Sequence, residues 1–445
     1  MFAAVRWKVA CMSLVCLVLL ASAMLTAGCG GKTQEGAGEQ GKADNGGKDG
    51  RAALAWPTPY QNAGRIGRSG SAGPQSSDLK WTYEAGAQSK SWAVLAADGS
   101  VLAGFTGKLV CLDASSGAVK WEFSTGSETP TTCGVGADGS IFFGAGNKVF
   151  CLSAQGSQKW AYDLGTAPDE PTVAKDSVYV GSTGGKLAAL DLEGCLKWET
   201  QVGEDIRSPS LDRQGNLYCG ASSFTLYAFD AGGKKLWEVR AAGDAVLGES
   251  LYDWGNILDT PSIGPDGTIY AGSMTGPFKG SGGVTELPSG ELALGKLYAI
   301  SPQGQVKWSY AYPGSGGSGY YSMVHSPSIG QDGTLYCGTS LNRVLALNPQ
   351  GQLLWEYDTG ESTGVCPSVF SPSIGRDGLL YAATTSGKMI CIDAQGKEKW
   401  RFDSGSPWLP DRNSNTMTPP PLGEDGTLFS VLAQGKVCAW PGRGK

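Results

Sequence analysis

The chain has 445 residues, a formal net charge of −6, 41% apolar residues and 68 glycines. That length holds one large domain plus a leader, and so much glycine beside an ordinary apolar share fits many short strands and turns rather than a disordered chain. The acidic balance offers no basic face for nucleic acid, and a lone histidine, His325, with no Cys-x-x-Cys pair speaks against a zinc centre of the usual ligands.

The N-terminus reads as an export signal over residues 1–28: Arg6 and Lys8, an apolar run from Val9 to Leu25, then Thr26-Ala27-Gly28 before Cys29. The run is short for a spanning helix, which needs roughly 20 apolar residues. Small residues ahead of a cysteine resemble the lipoprotein-processing box, although Thr26 stands where that box usually has Leu. The resemblance implies acylation of Cys29 and a protein anchored by lipid to the outer face of the cytoplasmic membrane, or to an outer membrane where one exists. Residues 29–55 are rich in Gly, Lys, Glu and Gln and read as a flexible tether. A Pro/Gly-rich lead-in over residues 56–77 opens the domain at 56–445, with Trp56 and Tyr60 expected to pack on its outside.

From there the chain repeats. A tight turn, Asp-Gly or its equivalent, recurs at Asp98, Asp138, Lys175, Gln214, Asp266, Asp332, Asp377 and Asp425, and Asp-Gly between β-rich runs is a strong hairpin signal. A closing tryptophan recurs at Trp121, Trp160, Trp198, Trp237, Trp308, Trp355 and Trp400. Each unit reads as four short strands that cannot bury both faces alone. The last unit stops at Trp440, one strand short, while Leu79-Lys80-Trp81 is a fourth strand without the preceding three. The expectation is an all-β, eight-bladed propeller of four-stranded antiparallel blades, with the N-terminal strand completing the last blade and removing exposed edges. Cys111, Cys151 and Cys391 share one repeat slot with Ala189, and Cys219 and Cys337 share another with Ala271, so these read as small core fillers rather than disulfides.

Spacing from each turn to its closing tryptophan is nearly constant except in the fifth unit. The long insertions, Ala242–Leu258, Ser273–Leu294, Tyr312–Met323, Gly360–Val369 and Gly405–Met417, all fall before a first strand or between second and third strands. In a meander those positions share one face, so one face is tight-turned and the other carries long loops on blades five to eight. Loops on a rigid scaffold carry function. Their exposed-type anchors Tyr252, Asp253, Trp254, Phe278, Tyr320, Tyr321, Trp408 and Arg412 are the candidate binding face.

The third turn and fourth strand, Leu112-Asp113-Ala-Ser-Ser-Gly117-Ala-Val-Lys-Trp121 and Ile392-Asp393-Ala-Gln-Gly396-Lys-Glu-Lys-Trp400, resemble the pyrroloquinoline-quinone-type propeller repeat. Within that superfamily the chain is similar to the lipoprotein propellers typified by the outer-membrane protein assembly factor. That resemblance implies tryptophans, Trp81 among them, docking adjacent blades, and a monomeric scaffold that binds another envelope protein or peptide without catalysis or cofactor. Two alternatives stand beside it, a quinone-dependent oxidoreductase and a cell-wall glycan or peptide binder. The oxidoreductases carry calcium and quinone ligands and often a Cys-Cys pair, which this chain lacks. Its first-strand mouth positions are Ser91, Thr131, Asp169, Arg207, Asp259, His325, Phe370 and Thr418. Asp169 and Asp259 are ion-ligand types and Arg207 an anion-binding type, but the set reads as solvated channel-mouth residues, and spacing suggests no Ser or Cys partner for His325. Gly314-Ser-Gly316-Gly-Ser-Gly319 precedes no helix and reads as a loop, and Asp411-Arg-Asn413-Ser-Asn415 lacks the Gly and Glu of a calcium loop.

Overall fold

The computed structural model describes residues 62, 65, 67–240, 257–275, 295–312, 322–360, 368–405, 419–432 and 434–442. The strands are short because turns interrupt the chain every few residues, and they assemble as eight antiparallel sheets. Blade 1 is typical: Val94–Leu95, Val101–Phe105, Lys108–Leu112 and Val119–Ser124, each paired with the next. Blades 2, 3, 4, 6 and 7 repeat this order. The apolar core is distributed as clusters between neighbouring blades; one of them joins Tyr218, Leu226 and Ala228 of blade 4 to Ile269, Ala271 and Tyr298 of blade 5.

The ring closes as the repeats require. Trp81–Glu84 pairs with Lys436–Trp440 in the register Trp81↔Ala439 through Glu84↔Lys436, and Leu428–Leu432 forms the next strand inward. The first strand of this eighth blade is reduced to a bridge between Leu422 and Leu428. Trp81 lies 5.8 Å from Phe429, as Trp160, Trp198, Trp237, Trp308, Trp355 and Trp400 lie 5.8–6.0 Å from a second-strand aromatic of their own blades.

Each closing tryptophan also reaches into the next blade. The Trp121 indole Nε1 donates to the Ala154 carbonyl at 3.1 Å, and Trp81, Trp160, Trp198, Trp237, Trp308 and Trp355 donate to Ala114, Leu192, Ala231, Pro302, Pro349 and Ala394 at 2.9–3.0 Å. The ring of each indole covers the turn glycine of that next blade. A Cβ on Gly156, at φ +81°, would stand 2.5 Å from the Trp121 ring, so glycine is required there both for backbone conformation and for space.

One joint differs. Trp400 has no following third turn to grip, because the third and fourth strands of the eighth blade, Lys436–Trp440 and Trp81–Glu84, are not consecutive in the chain. Its indole donates instead to the carbonyl of Pro74 at 3.2 Å, and the Tyr381 hydroxyl donates to the same oxygen at 3.1 Å. The described part of the lead-in, Arg65 and 67–77, is bonded to the first strand of the seventh blade. Trp56 and Tyr60 lie outside the described residues.

The fifth blade departs from the repeat. Its second strand, Ile269–Thr275, is longer than its counterparts, and its end pairs with two additional strands, Ile257–Leu258 and Ser322–Met323. Segments that read as loop ends are thus hydrogen-bonded β-structure. The five cysteines of the two repeat slots are buried and free, with burial pushing the Cys111 and Cys151 thiols up to about 11 and Cys391 up to about 12; Cys195, outside those slots, is disulfide-bonded.

The aspartates of the first turns share one local geometry. Asp98, Asp138, Asp266, Asp332 and Asp425 each accept the backbone amide two residues on at 2.9–3.0 Å. Burial pushes each carboxyl up, but these bonds, with Ser or Thr hydroxyls and a nearby lysine at all but Asp332, outweigh it and hold all five below the ordinary carboxylate range. A group depressed in the folded state adds stability above its unfolded pKa and loses it as pH falls. The melting temperature should therefore hold from pH 7 to 5 and fall steeply below about pH 4, as scanning calorimetry will show. Gly156→Ala should lower stability by about 1–3 kcal/mol through strain at the Trp121 joint. Deleting Lys80–Tyr83 should collapse the whole cooperative transition rather than one blade, as read by chemical denaturation.

Candidate binding face and channel mouth

The mouth residues occupy equivalent places. The amides of Thr131, Asp169, Arg207, Asp259, His325 and Phe370 donate to the carbonyls of Gly144, Gly181, Gly220, Gly272, Gly338 and Ala383, in or just after the second strands of their blades, at 2.8–3.0 Å. Ser91 sits at the corresponding place in blade 1, with its hydroxyl taking the Gly104 amide at 2.8 Å. Thr418 lies outside the described residues.

Asp169, Arg207 and Asp259 are only partly exposed, and the two acids staple blades together. Asp169 of blade 3 accepts the Ser208 amide of blade 4 at 2.9 Å and lies 3.7 Å from the Arg207 guanidinium. Asp259 of blade 5 repeats the arrangement with blade 6, accepting the Ser326 amide at 3.3 Å and lying 3.8 Å from His325 Nδ1. His325 is fully buried, and its Nε2 stands 3.2 Å from the Ser368 hydroxyl of blade 7. The histidine therefore has a serine partner that linear spacing does not reveal. Ser368 is itself buried and its amide is bonded to Thr385 Oγ1, so the pair joins three blades and presents no accessible nucleophile. Phe370 completes the rim, 6.1 Å from His325 and edge-on to Trp92 at 4.5 Å.

Deeper in the channel lies an ion pair the sequence did not single out. Arg65 of the lead-in is 4% exposed and Glu170 is 1% exposed, with Nη1 and Oε2 3.7 Å apart. Glu170 occupies the slot held by Ser208, Thr260, Ser326 and Ser371 in other blades, and that break in the repeat was the signal available. Below it, Thr172 donates to the Pro209 carbonyl at 2.8 Å and Ser262 to that of Pro327 at 2.6 Å, with Ser210 and Ser373 bonding Pro261 and Pro420 in the same way.

This donor set does not fit a calcium–quinone centre. Asp169 already faces the Arg207 guanidinium and Asp259 lies against the His325 ring, and among the described residues no three His, Cys, Asp or Glu side chains gather as a metal site.

On the same face, the added ribbon of blade 5 gathers three of the long segments. Residues 241–256, 276–294 and 313–321 each adjoin one of its strands, Ile257–Leu258, the end of Ile269–Thr275 and Ser322–Met323. The candidate anchors Tyr252, Asp253, Trp254, Phe278, Tyr320, Tyr321, Trp408 and Arg412 lie outside the described residues. Blades 1 to 3 have no such insertions, and the same face there is an open polar groove of about 670 Å³ lined by Gln88, Thr106, Ser127, Thr129 and Asn147 among others. A double-mutant cycle on Asp169 and Arg207 should give a coupling of about 0.5–3 kcal/mol in unfolding free energy, with Asp169→Asn milder than Asp169→Ala because the amide acceptor survives.

No curated protein sequence matches the chain. Among solved structures, it is similar to BamB from Moraxella catarrhalis at 17% identity and TM-score 0.59, over 82% of this chain and 99% of that one. It is also similar to the computationally designed Ika8 protein, at 13% and 0.58 over 80% and 97% of the two chains. The quinohemoprotein alcohol dehydrogenase ADHIIG from Pseudomonas putida HK5 matches at 12% and 0.61 over 88% and 81%. At these identities the likenesses establish the propeller fold and nothing finer. The sequence profile of the family described as outer membrane protein assembly factor BamB matches residues 73–218, 107–279, 146–339 and 213–442 in overlapping stretches. On a match that spans nearly the whole ring, the chain belongs to the outer membrane protein assembly factor BamB family of PQQ-like propellers.

Proposed function

We propose that this protein is an exported, lipid-anchored scaffold that captures another envelope protein or peptide on the long-loop face of blades five to eight. Family membership supports a protein-binding role at the level of the class. The observation that carries the finer reading is the blade 5 ribbon. Three of the five long insertions are tied to one small sheet on one face, which is how a rigid scaffold presents recognition segments. The stapled mouth supports a non-catalytic reading, because its acids and its histidine are engaged in joining blades.

A photo-crosslinking residue placed in the long segments of intact cells should trap a defined partner, whereas one in the first-turn face at Asp98 or Asp138 should not. Trp254→Ala with Tyr321→Ala should reduce capture about ten-fold or more, the scale of one lost interface anchor, while leaving the melting temperature nearly unchanged. Equal capture from both faces would overturn the docking proposal. Cys29→Ala should release the protein from the membrane fraction, and retention of that variant would overturn the lipid anchor.

A further inference from the structure

The first strand of each blade turns its inner edge towards the channel, and along blade 7 that edge is paired. Arg68 and Ile374 form a parallel bridge, the Ser69 amide donates to the Ile374 carbonyl at 2.8 Å, and the Ile374 amide donates to the Gly67 carbonyl at 2.9 Å. Farther along, the Arg376 amide donates to the Ser71 carbonyl at 2.9 Å and the Ser71 hydroxyl to the Glu424 carbonyl at 2.8 Å. This is strand addition, in which main-chain bonds hold an extended peptide and side-chain niches select it. The niches are specific. Arg65 is paired with buried Glu170 and donates to Thr172 Oγ1 at 3.4 Å. Gly67, at φ +65°, and Gly73 lie where a Cβ would strike Ser328 and the Tyr381 ring. The Pro74 carbonyl takes two donors, and Gln75 donates to Asp377 at 3.1 Å.

We infer that the inner edge of blade 7, with Glu170 across the channel and Tyr381 and Trp400 below, is a peptide-binding cradle filled by the chain's own residues 65–75. Its ligand class is a peptide with an arginine at the first position, glycine at the third and ninth and proline at the tenth, the first and third residues in left-handed backbone. The blade sheets, including the 81–84 seam, are paired without this segment, so the segment is a ligand held in cis. The inference does not depend on the proposed partner or on lipid anchoring.

The test uses the full chain carrying Gly73→Leu and a fluorescein-labelled synthetic peptide of residues 65–75. Hydrogen exchange across residues 67–75 should accelerate at least about ten-fold in the variant, the scale of one lost charge-assisted or shape-specific contact, while the third strands of the blades keep their protection. The labelled peptide should bind the variant saturably and restore slow exchange along the first strand of blade 7. Peptides carrying Arg65→Met or Gly73→Leu should bind at least about ten-fold more weakly, and the wild-type protein, already filled, should bind none. Should Gly73→Leu fail to fold, Ser69→Pro, which removes the amide bonded to Ile374, carries the same readouts. Unchanged exchange in the lead-in of either folded variant, no peptide binding once the lead-in is loosened, or equal uptake by the wild-type protein would each overturn the inference.

Discussion

The molecule depends on one joint used around the ring: an indole laid over a glycine of the neighbouring blade, its N–H bonded to a carbonyl of the same turn. A blade is a small sheet with two apolar faces and no internal core, so it is stable only through such neighbours. The indole suits the task because a wide flat ring fills the wedge between twisted sheets while its one donor fixes the angle. Glycine answers it twice, by adopting a left-handed turn and by leaving room for the ring.

Two further layers of bonds tie the blades nearer the axis. Threonine and serine hydroxyls reach proline carbonyls of the next first strand, which have no sheet partner across the gap. Above them Asp169 and Asp259 each bond an amide of the following blade and lie against a side chain of that blade, Arg207 or His325. Carboxylates drawn partly out of water are costly unless compensated, and both meet groups of the neighbouring blade. Polar residues that look like a site in the linear chain are thereby consumed by architecture.

The ring, its blade count and its closure by Trp81 were legible because period-two patterning and glycine turns repeat with a near-constant spacing. The path of the lead-in was not, because nothing periodic marks 65–77; its place is set by contacts such as Pro74 with Trp400 that link residues far apart in sequence. The ribbon of blade 5 was hidden for a similar reason. Ile257–Leu258 and Ser322–Met323 are two-residue strands, too short to show alternation, and they exist only because Ile269–Thr275 overshoots its blade. At the mouth, the surroundings of each residue were not legible, since Ser368 meets His325 only through the curvature of the ring.

The seam where the two chain ends meet has a mechanical consequence. Tension applied from the N-terminal side reaches Trp81 only after passing along residues 67–75, which are bonded to blade 7. The lead-in thus acts as a strain relief, keeping the join that holds the circle shut from being the first thing to feel a tug.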